Sequence, residues 1–173
     1  MLKSMLAAVV FVAGLAGFVY AQQTATKLSK VDKDFVNKAA SGGLFEVRAG
    51  EYAVNNAQSP EVKNFAQRMI TDHSKANQQL AQLSQQKGIA VPQTMDKKDN
   101  KTYTHLSKLS GTNFDRTYMN QMIKDHQKDI KEFQNQAKNG QDPDLKAFAS
   151  STLPILQEHL RMAQSIAPTV GAK

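Results

Sequence analysis

Apolar residues recur every three or four positions across nearly all of residues 30–166, the spacing that keeps a stripe on one side of an α-helix. No stretch alternates with period two for long enough to predict a strand. In the first segment the stripe is Phe35, Ala39, Gly42, Glu46, Ala49 and Ala53. That helix is predicted from about Lys30 to Asn56, opened by Ser29 with Asp32 three residues later, a variant of the capping box. Ser59-Pro60-Glu61 opens the second helix with an N-cap, a first-turn proline and a first-turn acid. Its stripe is Val62, Ala66, Met69, His73, Ala76, Leu80 and Leu83, and Lys87-Gly88 stops it. The third begins near Asn113 and ends at Asn139-Gly140, with Met119, Met122, His126, Ile130, Phe133 and Ala137 inward. Asp142-Pro143-Asp144 starts the fourth as the earlier Ser-Pro-Glu starts the second. Its stripe is Leu145, Ala149, Thr152, Leu156, His159, Ala163 and Ile166, and interior Pro154 is expected to kink it.

The connections predict the topology. Short links make the first and second helices, and the third and fourth, antiparallel neighbours. The long connection over residues 88–112 holds a loop, GIAVPQTMDKKDN, and a short helix, KTYTHLSKLSG, before Gly111. A crossover of this length leaves the second and third helices parallel, the connectivity of ferritin-like bundles. SPEVKNFA (59–66) matches DPDLKAFA (142–149) in residue class at each position, as a duplicated helical hairpin would. The expected fold is all-α: a four-helix bundle over residues 32–167, with a polar lead at 22–31 and a tail at 168–173.

The first 21 residues are of another kind. Lys3 precedes the apolar run LAAVVFVAGLAGFV (6–19), and Val19-Tyr20-Ala21 supplies small residues at the positions signal peptidase reads. The run is short for a bilayer span, which takes roughly 20 residues. A cleaved export signal ending before Gln22 is expected, and with it a periplasmic or outer-membrane-associated protein with no transmembrane span in the mature chain. The sequence has no cysteine, which excludes disulfides and a lipidated cysteine at the N-terminus. Its formal net charge is +7, but the lysines are scattered over polar helix faces and tryptophan is absent. That pattern describes a solvated surface and gives no platform for nucleic acid.

Candidate chemistry lies in the middle of the four stripes. Each carries one polar residue there: Glu46, His73, His126 and His159. Such groups in a bundle core must be hydrogen-bonded, paired or bound to a metal. Together they are the candidate ligand set for one transition-metal ion, and imidazole with one carboxylate suits zinc, copper or iron. The alternative is a buried hydrogen-bond network, and the sequence offsets the two levels: His73 follows Pro60 by 13 residues but His159 follows Pro143 by 16, about 4.5 Å along a helix. Asp72, Asp125 and Glu158 each precede a histidine and flank the stripe. They are candidate acceptors for an imidazole N–H of a neighbouring helix, or exposed partners for Lys75, Lys128 and Arg161 three residues on. His105, in the polar crossover, is expected to be exposed. Ser41-Gly42-Gly43, within the first helix, predicts a close helix approach or a local bulge.

The runs FVNKAASGGLFEVRAGEYA, SPEVKNFAQRMITDH, LSGTNFDRTYMNQMIKDHQKDIKEF and DPDLKAFASSTLPILQEHLRMA resemble the bacterial domain-of-unknown-function family 4142 over about residues 32–167. The resemblance implies an exported ferritin-like domain without an established activity. True di-iron proteins of that fold carry Glu-x-x-His on two helices. Here Ile70, Ile123 and Leu156 stand three residues before the histidines, which argues against a carboxylate-bridged di-iron centre. Three functional readings follow: an exported bundle of unknown molecular function with a metal in its core, a metal-dependent oxidoreductase acting on peroxide or superoxide, and a metal-free structural or interaction module of the envelope.

Overall fold

The computed structural model describes residues 28–172. The expected signal segment and most of the polar lead lie outside that range. Five α-helices and a 3-10 turn follow in order: α1 (Lys30–Asn56), α2 (Pro60–Gln86), α3 (Lys97–Leu106), α4 (Gly111–Asn139), α5 (Pro143–Ile166), then Ala167–Val170. There is no strand among the described residues.

The caps act where the sequence placed them. Ser29, Ser59 and Asp142 each accept a backbone N–H of the first turn that follows, and Pro60 and Pro143 occupy first-turn positions that need no donor. The crossover differs from expectation. Its helix starts at Lys97, four residues earlier than the predicted one, because Asp96 caps it by accepting from Asp99 N–H. Gly111 opens α4 at φ +58 rather than closing the preceding helix. Pro154 lies inside α5, and the helix continues through it. The expected tail at 168–173 is docked through Ala172, which is buried in the core beside Ala167 at the end of the bundle.

Two interhelical devices fix the topology. Asp115, near the start of α4, accepts the backbone N–H groups of Gln58 and Ser59 in the α1–α2 turn. Asp32, near the start of α1, accepts those of Gln141 and Asp142 in the α4–α5 turn and the side chain of Gln136. The same sequence offset of 83 relates Asp32 to Asp115 and Ser59 to Asp142, so each hairpin holds the turn of the other. At the far end of α2, Lys87 pairs with Asp142 and Asp144. Neighbours around the bundle are therefore antiparallel, and α2 and α4 run parallel across it, as the long crossover requires.

Two apolar clusters lie at opposite ends of the bundle. One contains Phe45, Phe65, Met69, Phe114, Tyr118 and Met122, and the other Phe35, Leu80, Phe133, Leu145, Phe148 and Leu156. α1 buries more than its predicted stripe, with Val36, Ala40, Gly43 and Gly50 also inward. The glycines explain this: a Cβ on Gly50 would lie 3.1 Å from the Ala66 carbonyl oxygen, and one on Gly43 would collide with the Asn77 side chain. Small residues let α1 and α2 approach closely. Between the two clusters sits a polar layer.

Candidate metal centre

The polar layer is built from three helices. α2 supplies His73, α4 His126 and α5 His159, all on buried faces. Their rings pack at centroid distances of 5.3 to 5.6 Å. One ring nitrogen from each lies within 4.8 Å of the others, the only such group of potential metal ligands among the described residues. The axial offset between His73 and His159 in the sequence does not separate their rings.

The hydrogen bonds define which nitrogens are free. His126 Nδ1 lies 2.9 Å from the Met122 carbonyl, which can only accept, so Nδ1 carries the proton. His159 Nε2 lies 2.9 Å from Asp72 Oδ2 and donates to it. Burial raises Asp72, but its contacts with His159 and Arg68 outweigh that and keep it an ionised acceptor. The remaining nitrogens, His126 Nε2 and His159 Nδ1, face each other at 3.3 Å. Burial holds all three imidazoles neutral at pH 7: His73 is driven well below its ordinary value, His126 to about 4, and His159 is lowered despite Asp72. Two lone pairs thus point at one another, and buried His73 Nε2 has no hydrogen-bond partner among the described residues. Two imidazole nitrogens bound to one tetrahedral ion at about 2.0–2.1 Å stand roughly 3.3–3.4 Å apart. The donor set fits a transition metal.

Glu46 is not part of this convergence. It is buried on α1 with Oε1 4.0 Å from His126 Nδ1, the nitrogen turned away from the other histidines. Neither of its oxygens has a hydrogen-bond partner among the described residues. Burial raises its carboxyl well above the usual range, helped by the negative charges of Asp125 and Asp129. A neutral Glu46 behind His126 is thus the state the surroundings favour. Burial likewise lifts Asp129 to about 7.

The flanking acids diverge. Asp72 alone reaches a histidine, and Arg68, four residues earlier on α2, donates to the same carboxylate oxygen, Oδ2. Asp125 accepts from Gln121, and Glu158 pairs with Arg161 at the surface. His105 is exposed. Sequence reasoning did not single out Tyr118, whose hydroxyl is buried without a partner among the described residues and whose pKa is raised by burial and then by Glu46. Its place about one turn before Met122 on the same stripe was the available signal.

The fold and the site together define a class: a ferritin-like four-helix bundle with a buried three-histidine cluster. The chain belongs to the domain of unknown function family DUF4142, whose sequence profile matches residues 18–166. No curated protein matches it in sequence. Among solved structures it is similar to a DUF305 fragment from Deinococcus radiodurans, at 12% identity and TM-score 0.72 over 82% of this chain and 98% of that one. It is also similar to CopM in its Cu(II)-bound form, at 19% identity and TM-score 0.68 over 80% of this chain and 96% of CopM. A third similarity is to a two-domain protein of Anabaena variabilis with DJ-1/ThiJ/PfpI-like and ferritin-like domains, at 19% identity and TM-score 0.63, over 82% of this chain and 41% of that one. At these identities the likeness concerns the fold. No helix among the described residues is long and apolar enough to cross a membrane.

Proposed function

We propose that this chain is an exported helical-bundle protein that holds one transition-metal ion, copper foremost, through His73, His126 and His159. The observation that carries the reading is the opposed pair of unprotonated nitrogens, His126 Nε2 and His159 Nδ1, at tetrahedral-ligand separation beside a third histidine. Three neutral imidazoles suit copper or zinc, while iron in this fold takes carboxylates. CopM, a protein of similar fold crystallised with Cu(II) and with Cu(I), adds weight to copper. Export rests on the N-terminal charge, apolar run and Val19-Tyr20-Ala21 pattern. Envelope association follows from the same reading.

The bundle positions the site by clamping each imidazole from behind. The Met122 carbonyl orients His126, and Asp72, itself gripped by Arg68, orients His159 and raises its basicity as a ligand. Three protein donors are also the number that catalytic metal sites use, leaving a position for water or substrate. That count favours a second reading, an oxidoreductase acting on peroxide or superoxide, over a purely structural module.

The test is metal content. The mature chain is loaded with Cu(II), desalted, and assayed for bound copper beside His73→Ala and His126→Ala, with circular dichroism to establish folding. About one ion per wild-type chain and loss in both variants is expected. Equal copper content in all three proteins overturns the ligand assignment.

A further inference from the structure

The cluster is enclosed unequally. On one side His126 is fully buried, with Glu46 and Tyr118, also buried, in the same interior. A second cavity that touches His73, bounded by Gly43, Asn77 and Asp129, holds only about 30 Å³. That is close to one water molecule's share of the liquid. Next to it, with His73, Ala76, Thr152 and Leu156 in both walls, a pocket of about 260 Å³ opens between α2 and α5, and His159 also lines it. Lys75, Gln79, Ser151 and Thr152 also line it. The ammonium and the amide can donate into the pocket, while both hydroxyls already donate to the Phe148 carbonyl. Asp72 lines it too, but its charge is taken up by Arg68 and His159.

We infer that this α2–α5 pocket admits a small inorganic anion to the coordination position that the three histidines leave on a bound ion. The inference rests on the metal-binding reading above and adds the route, the ligand class and the residue that attracts it. Volume separates this face from the His73 cavity, which has no space for a triatomic anion beyond a water. Charge separates an anion from a cation, because among the described residues Lys75 is the one lining charge not paired within a salt bridge. With an ion held by the three histidines, the step would be a ligand exchange, in which the anion would donate a lone pair in place of a water and no electron would be transferred. Azide is a suitable probe, since it has the charge and size of hydroperoxide without its redox chemistry.

The experiment titrates azide into Cu(II)-loaded protein and follows the azide-to-copper absorption band, with copper content measured in every sample. Wild type is expected to develop the band at saturation. Lys75→Glu, which reverses the charge at the mouth, is expected to weaken azide about tenfold, and Lys75→Arg to restore it. Gln79→Trp, which fills the pocket from an exposed position, is expected to block the band. A loaded wild type that ignores azide overturns this inference and leaves metal binding intact. Bands of equal midpoint in wild type, Lys75→Glu and Gln79→Trp overturn the route. A wild type that takes up no copper overturns both readings.

Discussion

His126 Nε2 and His159 Nδ1 face each other at 3.3 Å, each deprived of its proton by what lies behind it. The Met122 carbonyl fixes one tautomer and the Asp72 carboxylate the other. A neutral pair of this kind repels. An added proton could bridge it, but burial drives the histidines toward the neutral form. A cation between the nitrogens removes the repulsion without titrating either ring.

Acid should therefore weaken the apo protein through His126. Its folded pKa is about 4, against roughly 6.5 for an unperturbed histidine. The contribution is fully present above 6.5 and is lost as pH falls from there toward 4, because only the unfolded chain then takes up the proton. Glu46 and Asp129 are shifted the other way and partly offset this in the same window. A variant isolates the histidine's contribution. His126→Leu, measured by urea unfolding against wild type, should gain about 2 kcal/mol relative to it between pH 7 and pH 4.5. A difference independent of pH would show that His126 is not held neutral.

Asp72 offers the sharpest test of the support behind the ligands. Asp72→Asn keeps the shape but removes the charge that His159 Nε2–H meets. Loss of such a partner typically costs 10- to 100-fold in metal affinity, about 1.4–2.7 kcal/mol. Competition against a chelator of known affinity would measure it, and an unchanged affinity would confine Asp72 to its pair with Arg68. Asp125→Asn and Glu158→Gln, whose parent residues touch no histidine, should leave affinity within about twofold, roughly 0.4 kcal/mol.

The helices were legible because their punctuation is local. Ser59-Pro60 and Asp142-Pro143 declare a helix start within a few residues, and the stripes declare which face goes inward. His73, His126 and His159 were legible as candidates for the same reason, since each interrupts an apolar stripe. What one stripe cannot carry is rotation about the helix axis relative to its neighbours. Glu46 sits at the right position along α1, yet its contact is the wrong side of the His126 ring. Asp72 and Asp125 occupy equivalent places before their histidines, and only the α2–α5 contact distinguishes them. The turn-holding roles of Asp32 and Asp115 were illegible too, because their partners lie 56 to 110 residues away in the sequence.

Those two aspartates yield a prediction about the fold. Each is about 1% exposed and accepts backbone N–H groups from the opposite hairpin's turn. Burial raises Asp32, but hydrogen bonds from Ser29, Gln136 and the turn amides outweigh it and lower its pKa. Asp32→Ala or Asp115→Ala should strand those amides and cost about 2–4 kcal/mol. Chemical denaturation at pH 7 measures it, and a loss below about 1 kcal/mol in both would show that the turns hold without them.

Glu46 separates the three-ligand site from the four-ligand set expected from the stripes. Its raised pKa places it in the class whose stability is fully present below the unfolded value, near 4.5, and lost as pH rises through the folded one. Glu46→Gln preserves size and cannot ionise, so it should stabilise the apo protein relative to wild type more at pH 8 than at pH 5, by more than about 1 kcal/mol. Because Glu46 faces His126 Nδ1 and not the converging nitrogens, the same variant should bind copper with wild-type stoichiometry. Thermal melts at the two pH values and one metal assay decide both points. Copper lost in Glu46→Gln would bring the carboxylate back into the ligand set and require the α1 side chain to swing toward the histidines on loading.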